Sequence, residues 1–426
     1  MSFSLGGSGG SSSPKRTVTL YMDTGSDIVW VPCKPFTCIM CEGKSDPKTT
    51  PAPHNLSSSA SPVSCQSRAC SSVHMSHPSS HLCAMSRCPL DSIEMSECQK
   101  YTCPSFYYAY GDGSFVGKLY QDVLEIPMSA PPSLTVENFT FGCAHESLGE
   151  PIGVAGFGRG ALSLPAQLAA YSPHLGSQFS YCLISHSFDS HRVRQPSPLI
   201  LGRRVDSPPS LNNENKVKRV SQPQPDDFAY TPMLENTKHP YYYYVGLEAV
   251  TVGNRKITAP LNMRTIDRKG NGGMVVDSGT TYTMLPQELY NSVVGEFGKR
   301  VKTGYKRAED VEDKTGLSPC YYTDQPVGGK NNKKVLVPQL VLHFGGNSSV
   351  VMPKKNYFYE FTDGKKVKRN VGCMTLMNAG YFPDSGGPAG LLGNYQQQGL
   401  EVVYDLLNKR VGFARRKCSS LWDTLG

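Results

Sequence analysis

Two short segments carry the residues best suited to chemistry. In the first, residues 18–27, an apolar run ends in an acid, a hydroxyl and a glycine, Asp23-Thr24-Gly25. In the second, residues 273–281, the same pattern returns as Asp277-Ser278-Gly279. Each acid follows a strand-like run that would carry its carboxylate into the interior, where an ionised group is costly unless it is shared or hydrogen-bonded. This matched pair indicates two halves of one site.

A third acid-hydroxyl-glycine sequence, Asp384-Ser385-Gly386, has a different context. The tripeptide pattern arises by chance about once in five chains of this length at average composition. Residues 381–388 are rich in proline and glycine, which is typical of a surface loop. We therefore assign the site to Asp23 and Asp277 and expect a loop at the third sequence.

The chemistry available to such a pair is acid–base catalysis. Two carboxylates held close together cannot both ionise at low cost, so one keeps its proton over a wide pH range. The ionised acid can then take a proton from water while the protonated acid gives one to a leaving nitrogen. Because the pair titrates as a unit, we assign neither role to one acid.

Several elements must position these acids. The segment 106–115 reads as a strand entering a Gly111-Asp112-Gly113 turn, a strong hairpin pattern, and Tyr110 at its tip could cover a bound chain. Further on, Val154-Ala155-Gly156 is echoed by Leu391-Leu392-Gly393 after the second acid. An acid loop followed by an apolar-apolar-glycine strand therefore occurs twice, which predicts two related lobes.

Composition sets the fold class and the domain limits. The 426 residues include 41 glycines and 32 prolines and no long amphipathic helical stretch, which favours a mainly β protein. Residues 203–228 are rich in proline, asparagine and charge. We therefore predict an N-terminal lobe at 1–206, a linker at 207–228 and a C-terminal lobe at 229–426. The first lobe would hold a cysteine-rich insertion at 33–103 and a flap at 106–116.

Charge and hydropathy exclude several kinds of partner. The formal net charge of +8 is spread over polar loops and is not interleaved with stacking aromatic residues, so we expect no nucleic-acid partner. No apolar run approaches the ~18 residues of a membrane span. We expect a monomer that needs no metal or other cofactor.

Fourteen cysteines, ten of them in the first third of the chain, favour disulfides and an oxidising compartment. Zinc is the alternative, supported by Cys38-x2-Cys41 and nearby histidines, although the later cysteines are isolated. Three glycosylation sequons, at Asn55, Asn138 and Asn347, agree with secretion. The first residues lack a signal sequence, so we expect a truncated or processed start and a secreted or vacuolar protein.

Together these motifs resemble the pepsin-fold aspartic peptidases, and more narrowly the plant nepenthesin-like group. The resemblance covers nearly the whole chain. It rests on residues 23–27 with Trp30, the cysteine-rich insertion, and residues 110–114, 156–160, 277–281 and 392–398. It implies a mainly β, bilobal fold with two pseudo-two-fold-related, β-barrel-like lobes, a cleft between them, and an endopeptidase with an acidic pH optimum that cuts proteins or peptides.

The resemblance also implies roles for individual residues. Asp23 and Asp277 would be the catalytic acids, supported by their loop residues Thr24, Gly25, Ser26, Ser278, Gly279 and Thr280. Thr24 and Ser278 would brace the two loops, and Ser26 and Thr280 would touch the acids. The flap and cleft residues would be Tyr110, Gly111, Asp112 and the supporting Trp30.

Five disulfides follow from the same resemblance. They are Cys33–Cys38, Cys41–Cys143, Cys65–Cys103, Cys182–Cys418 and Cys320–Cys373. The partners of Cys70, Cys83, Cys88 and Cys98 stay open. The alternative to a peptidase is a binding protein on the same fold without catalytic activity, such as a plant inhibitor of glycoside hydrolases.

Overall fold

The computed structural model forms two compact units, Met1–Gly176 and Ser177–Gly426. It describes residues 1–6, 17–43, 52–185, 196–202, 228–301, 304–326, 337–364, 368–380 and 387–421. The predicted loop at residues 384–386 and the predicted linker, apart from Phe228, lie outside these ranges.

The first unit is built mainly from strands. They are β1 Ser2–Leu5, β2 Thr17–Thr19, β3 Tyr21–Asp23, β4 Val29–Ile39, β5 Ser61–Pro62, β6 Phe106–Ala109, β7 Ser114–Ile126, β8 Leu134–Leu148 and β9 Val154–Gly156. The described helices are short: α1 Arg68–Val73, α2 Ser79–Met85, α3 Leu90–Glu94, α4 Leu164–Tyr171 and α5 Pro173–Gly176. As its Ser163-Leu164-Pro165 sequence predicts, α4 begins at a serine cap, where Ser163 Oγ accepts from Ala166 N.

One open sheet organises this unit, in the order β2-β1-β7-β8-β4-β9-β3, with β5 and β6 also paired to β7. Its core beside the first acid is aromatic. Trp30 is fully buried and stacks on Phe115 with ring centroids 4.4 Å apart, and Phe106 packs edge-on against Phe115 at 5.6 Å. Such pairs stabilise a core beyond the area that they bury.

The second unit contains the remaining described elements. Its strands are β10 Gln178–Cys182, β11 Leu199–Leu201, β12 Ala229–Leu234, β13 Tyr244–Val245, β14 Leu247–Val252, β15 Arg255–Thr258, β16 Met274–Val276, β17 Thr283–Leu285, β18 Tyr305–Arg307, β19 Cys320–Pro326, β20 Leu340–Phe344, β21 Ser348–Val351, β22 Phe358–Asp363, β23 Arg369–Met374, β24 Leu376–Asn378, β25 Gly390–Leu392, β26 Leu400–Asp405 and β27 Arg410–Arg415. Its helices are α6 Leu261–Arg264, α7 Gln287–Val301, α8 Glu309–Thr315 and α9 Asn394–Gln397. Helix α7 lies where the sequence predicts one.

Three sheets make up this unit. A ten-stranded sheet runs β11-β10-β26-β27-β12-β13-β16-β25-β17-β24, and two four-stranded sheets run β15-β14-β20-β21 and β18-β19-β23-β22. The mainly β class is therefore confirmed. The sheets run from one edge strand to another and do not close, so the lobes are open sheets rather than barrels.

The division between the units falls at Gly176, earlier than the predicted lobe end at residue 206. Strand β10 explains the difference, since it pairs with β26 from Gln178 opposite Asp405 to Cys182 opposite Glu401. Strand β11 pairs with β10 in turn. Both strands precede the predicted linker in sequence, but they belong to the sheet of the second unit.

Seven disulfides use all fourteen cysteines. They are Cys33–Cys143, Cys38–Cys41, Cys65–Cys83, Cys70–Cys103, Cys88–Cys98, Cys182–Cys418 and Cys320–Cys373. The last two are the expected pairings. Cys320 and Cys373 are directly opposite each other on β19 and β23. Ligand atoms of Cys70, His74 and Cys103 lie within 4.8 Å of one another, but the two sulfurs are bonded to each other.

Two predicted pairings, Cys33–Cys38 and Cys41–Cys143, are wrong because of strand β4. Cys33 and Cys38 both lie on this strand, where five residues at ~3.3 Å each separate them by about 16 Å. A disulfide needs Cα atoms about 4.4 to 6.8 Å apart. Cys33 instead bonds to Cys143 on the neighbouring strand β8, with Cα atoms 5.4 Å apart, and Cys41 bonds back to Cys38.

The predicted Cys65–Cys103 bond is also wrong. Here the chain pairs antiparallel, with Ser64 opposite Thr102, so Cys65 faces Tyr101 and not Cys103. Helix α1 delivers Cys70 to Cys103, and α2 delivers Cys83 to Cys65. Four cysteine pairs have the spacing C-x4-C, namely Cys33/Cys38, Cys65/Cys70, Cys83/Cys88 and Cys98/Cys103, and none of them is a disulfide. The bonds therefore join different segments of the insertion, whose short helices bury few apolar residues.

A largely buried carboxylate in the second unit, that of Glu312, allows a test of stability. Glu312 Oε1 accepts from Cys320 N at 2.8 Å, and Oε2 accepts from Arg307 Nη2 at 2.9 Å and Ser318 Oγ at 3.0 Å. Partial burial opposes the charged form, but the hydrogen bonds from Arg307, Cys320 and Ser318 outweigh it and lower the pKa of Glu312. Its contribution to stability is therefore present above its unfolded-state pKa and is lost as pH falls through its folded-state pKa.

We predict that Glu312→Gln lowers the free energy of unfolding by about 1 to 3 kcal/mol near neutral pH, because hydrogen bonds to a charged group are lost. The difference from wild type should shrink in strongly acidic buffer. Urea unfolding across pH measures this, with the exposed Glu309→Gln on the same helix as a control. A difference that does not change with pH would contradict the assignment.

Candidate active site

The first acid lies at the end of β3, in a loop built by three strands. Strand β9 runs between β3 and β4, parallel to the first and antiparallel to the second, with Asp23 opposite Gly156. Asp23 is 8% exposed, and its Oδ1 accepts from Gly25 N at 2.8 Å. Two backbone hydrogen bonds from the turn after β9 hold the loop: Phe157 N donates to Asp23 O at 2.7 Å, and Gly158 N donates to Ser26 O at 2.7 Å.

The second acid repeats this arrangement. Strand β25 lies between β16, which leads to Asp277, and β17, the next strand in sequence. It is parallel to β16 and antiparallel to β17, and it comes from more than a hundred residues later in the chain. Asp277 is 9% exposed, and its Oδ1 accepts from Gly279 N at 2.8 Å. Its loop is held by Asn394 N, which donates to Thr280 O at 2.8 Å. The predicted internal repeat is confirmed at the level of strand topology.

A glycine sits at each crossing because the backbones approach too closely for a side chain. A Cβ at Gly156 would lie 2.5 Å from Ile28 O, and one at Gly393 would lie 2.5 Å from the carbonyl carbon of Tyr282. Ile28 and Tyr282 occupy the same position after their respective acids. The echoed glycines therefore have a common steric cause.

The hydroxyl groups around the acids differ between the loops. Thr280 Oγ1 donates to Asp277 Oδ2 at 2.6 Å, as expected. The expected counterpart, a hydrogen bond from Ser26 to Asp23, is not formed within the described part of the chain, where Ser26 Oγ is buried and lies near the Tyr110 hydroxyl. Serine lacks the methyl group that restricts the χ1 angle of threonine, so its hydroxyl is less firmly directed. Thr24 and Ser278 are buried, and their bracing role stays a prediction.

The predicted flap is a hairpin of β6 and β7, in which Ala109 pairs with Ser114 and Tyr110 N donates to Gly113 O at 2.7 Å. Gly111 and Asp112 are exposed at its end. Tyr110 instead folds back, and Trp30 Nε1 donates to its hydroxyl oxygen at 2.7 Å, so the expected support by tryptophan is present. Burial, followed by the negative charge of Asp23, raises the pKa of Tyr110 well above its usual value, and the phenol stays neutral.

Comparison with known proteins settles the family. A protein of Arabidopsis thaliana named "Probable aspartyl protease" is 58% identical over 97% of this chain and 82% of its own length. Aspartic proteinase nepenthesin-2 of Nepenthes gracilis is 30% identical over 96% of this chain and 76% of its own length. The chain belongs to the plant pepsin-like aspartic proteases. It is thus an aspartic endopeptidase by family, as the sequence motifs predict.

Two family models and the solved structures agree with this fold. The models described as xylanase inhibitor N-terminal and C-terminal match residues 10–203 and 242–415 of this aspartic protease. Basic 7S globulin from soybean superposes with a TM-score of 0.65 at 21% identity, covering 99% of this chain and 94% of that chain. Lupine conglutin gamma gives the same values. At this identity the structures support the pepsin-like fold alone.

Sequence analysis missed the polar network beneath the second acid of the protease. Gln397 is fully buried, and its Nε2 donates to Leu392 O at 2.7 Å and to Asp277 O at 3.2 Å. Its Oε1 accepts from the Tyr181 hydroxyl, which also contacts the Tyr404 hydroxyl at 2.9 Å. The network ties the Asp277 backbone to strands β10 and β26. The sequence shows the run of three glutamines at residues 396–398. It does not show that a glutamine side chain forms hydrogen bonds with backbone carbonyl groups beside Asp277.

A second missed residue is Tyr242, which lies in the run of four tyrosines at residues 241–244. Its ring packs on Tyr241 at 4.4 Å and on Tyr244 at 5.9 Å. Burial raises the pKa of Tyr242, and the neighbouring tyrosines and the charge of Asp277 raise it further. Tyr242 therefore places a neutral, half-buried phenol within electrostatic range of the second acid.

The steric role of the crossing glycines predicts opposite effects for two glycine substitutions. Gly393→Ala should lower stability by about 1 to 3 kcal/mol, because the new methyl group meets backbone and not a movable side chain. The matched control is Gly295→Ala inside α7, where a Cβ meets nothing within 4 Å. That change should be neutral or stabilising by up to about 1 kcal/mol. Thermal unfolding midpoints compare them, and equal midpoints would contradict the steric argument.

Proposed function

We propose that Asp23 and Asp277 act together as the catalytic acids of this endopeptidase. The observation that carries the proposal is the matched hydrogen bonding of the two loops, in which Gly25 N and Gly279 N each donate to an acid Oδ1 at 2.8 Å. Each bond fixes one oxygen of a largely buried carboxylate, and Thr280 Oγ1 also donates to the second oxygen of Asp277. The repeated strand topology supports equivalent roles for the two loops.

The proposed reaction is hydrolysis of a peptide bond by a water molecule activated between the two acids. One acid is ionised and takes a proton from the water, whose oxygen attacks the carbonyl carbon. The other is protonated and gives its proton to the amide nitrogen as the C–N bond breaks. Aspartic proteases are the standard example of two carboxylates that share one proton, so this step follows the family rather than a contact seen here.

The flap residues bind and cover the substrate in this proposal. Tyr110 is held by Trp30 beside the first acid loop, and Gly111 and Asp112 at the exposed end of the hairpin offer backbone groups to an extended peptide. Tyr242 would contribute an apolar surface beside the second acid loop. The substrate is thus a protein or peptide, and we propose a monomer without a nucleic-acid partner or cofactor.

The disulfides support a secreted or vacuolar location, because bonds of this number persist in oxidising compartments. The sequon residues Asn55, Asn138 and Asn347 are all exposed, as glycosylation requires, and we propose them as acceptor sites. No helix within the described residues is long and apolar enough to cross a membrane.

A second candidate function is supported by the family models, whose descriptions name xylanase inhibitors. A protein of that kind would bind a glycoside hydrolase through this fold and cleave nothing. The two functions are separated by incubating the purified chain with denatured globin in acidic buffer, with and without a statine-type peptide that mimics the transition state. Inhibitor-sensitive cleavage supports the peptidase. Absence of cleavage together with inhibition of a xylanase would support the alternative.

We expect Asp23→Asn and Asp277→Asn each to reduce kcat for globin cleavage by at least about a hundredfold, since acid–base catalysis contributes ~10² to 10⁴ in rate. Folding should be retained because asparagine keeps the oxygen that accepts from the glycine N–H. Circular dichroism and thermal unfolding serve as controls. Either variant retaining more than about a hundredth of the wild-type rate would contradict the paired mechanism.

The proposed pair also predicts a bell-shaped dependence of kcat/KM on pH, with its maximum on the acidic side. The rate should fall at low pH as the second acid becomes protonated and at higher pH as the shared proton is lost. Initial rates with one peptide substrate across pH measure this profile. A kcat/KM maximum at neutral pH would instead indicate a mechanism with a single catalytic acid, and it would contradict the proposed pair.

A further inference from the structure

Outside the residues already assigned, one carboxylate lies where three segments of the first unit meet. Asp27 lies four residues after Asp23 and is half-buried. The hydroxyl of Tyr108, on flap strand β6, donates to Asp27 Oδ1 at 2.7 Å, and Asp27 N approaches the same hydroxyl oxygen at 3.4 Å. The side chain and the backbone of Asp27 therefore both meet one flap residue.

The other carboxylate oxygen of Asp27 faces the glycine-rich turn that follows β9. A Cβ at Gly160 would lie 2.0 Å from Asp27 Oδ2, so this turn closes directly over the carboxylate. Burial raises the pKa of Asp27, and the Tyr108 hydrogen bond partly opposes that shift. The carboxylate is thus enclosed by the flap on one side and by the turn on the other.

Tyr108 and Tyr110 form a pair of attachments along the same flap strand. Tyr110 is tied to Trp30 on β4, and Tyr108 is tied to Asp27 just before β4. The two rings lie 5.2 Å apart, and both stack on Phe115 of the returning strand. Tyr107, which precedes Tyr108 and lies on the outer face of the strand, is 65% exposed. The inward face of the strand is therefore fastened to the acid loop at two points.

We propose that Asp27 is a positioning residue that fixes the flap strand through Tyr108, and so sets the height of Tyr110 over the bound peptide. This inference rests on the proposed peptidase function. The hairpin pairing of β6 with β7 and the Trp30–Tyr110 bond hold the strand, and the Tyr108–Asp27 bond adds a second side-chain attachment to the segment that enters β4. A displacement of about 1 Å in a group that orients substrate can cost on the order of a hundredfold in rate.

The test is a double-mutant cycle on substrate cleavage, using Tyr108→Phe, Asp27→Leu and the combined variant. Tyr108→Phe keeps the ring stacking and removes only the hydroxyl. We expect each single variant to raise KM about tenfold with kcat changed less than about threefold, because the flap contributes binding while the acids stay intact. Since both changes break the same bond, the double variant should also lose about tenfold in kcat/KM, whereas independent roles would give about a hundredfold.

Two further variants separate positioning from general destabilisation. Asp27→Asn still offers a carbonyl oxygen to Tyr108 and should keep KM within about threefold of wild type. Tyr171→Phe, the matched control at an exposed tyrosine of α4 outside the flap, should leave kcat and KM unchanged. Because Asp27→Leu leaves a buried hydroxyl without an acceptor and could fail to fold, Tyr108→Phe and Asp27→Asn carry the test in that case.

The outcomes distinguish this inference from the proposed function. An active, statine-sensitive wild type with unchanged KM in Tyr108→Phe overturns the role of Asp27 and leaves the peptidase assignment intact. Additive losses in the double variant, or Asp27→Asn as damaging as Asp27→Leu, also overturn it. A wild type without statine-sensitive cleavage removes the proposed function, and the inference falls with it.

Discussion

The structure depends on one constraint: in each unit a carboxylate is held near the protein interior at the end of a short strand that is paired within a sheet. In each unit a strand from far along the chain separates the acid strand from the strand that follows it. A glycine lets the backbones cross at a distance that excludes any Cβ. One carboxylate oxygen of each acid then accepts a hydrogen bond from the N–H of the glycine two residues later. Such a loop has little freedom, which is what a preorganised catalytic group requires.

The two loops meet this constraint with different supporting residues. Around Asp23 the backbone of the glycine-rich turn supplies the bonds, and the flap tyrosines attach through Trp30 and Asp27. Around Asp277 the amides of a glutamine run supply them from within the sheet. The first loop is therefore linked to the flap hairpin, while the second is linked to the interior of the ten-stranded sheet. The two loops share the same strand topology but are held by different side chains.

Much of this could be predicted from the sequence because local patterns encode it. The apolar runs before Asp23 and Asp277, the echoed glycines at 156 and 393 and the helix at 287–301 each depend on neighbours in sequence. The errors have a different origin. Cysteine pairing in the insertion depends on which strands and helices lie side by side, which spacing does not encode. Likewise, β10 joins the second unit through pairing with a strand more than two hundred residues away. Ser26 and Thr280 occupy equivalent positions after their acids and differ by one methyl group, yet only Thr280 donates to its acid within the described residues.

The central claim is that Asp23 and Asp277 work as a single unit, and binding of a statine-type peptide tests it most directly. Its affinity would be measured by calorimetry for wild type, Asp23→Asn, Asp277→Asn and the double variant in acidic buffer. We expect either substitution to remove most of the affinity and the double variant to lose little more, since one shared interaction is already gone. Independent losses that add up, or full affinity in either single variant, would contradict it.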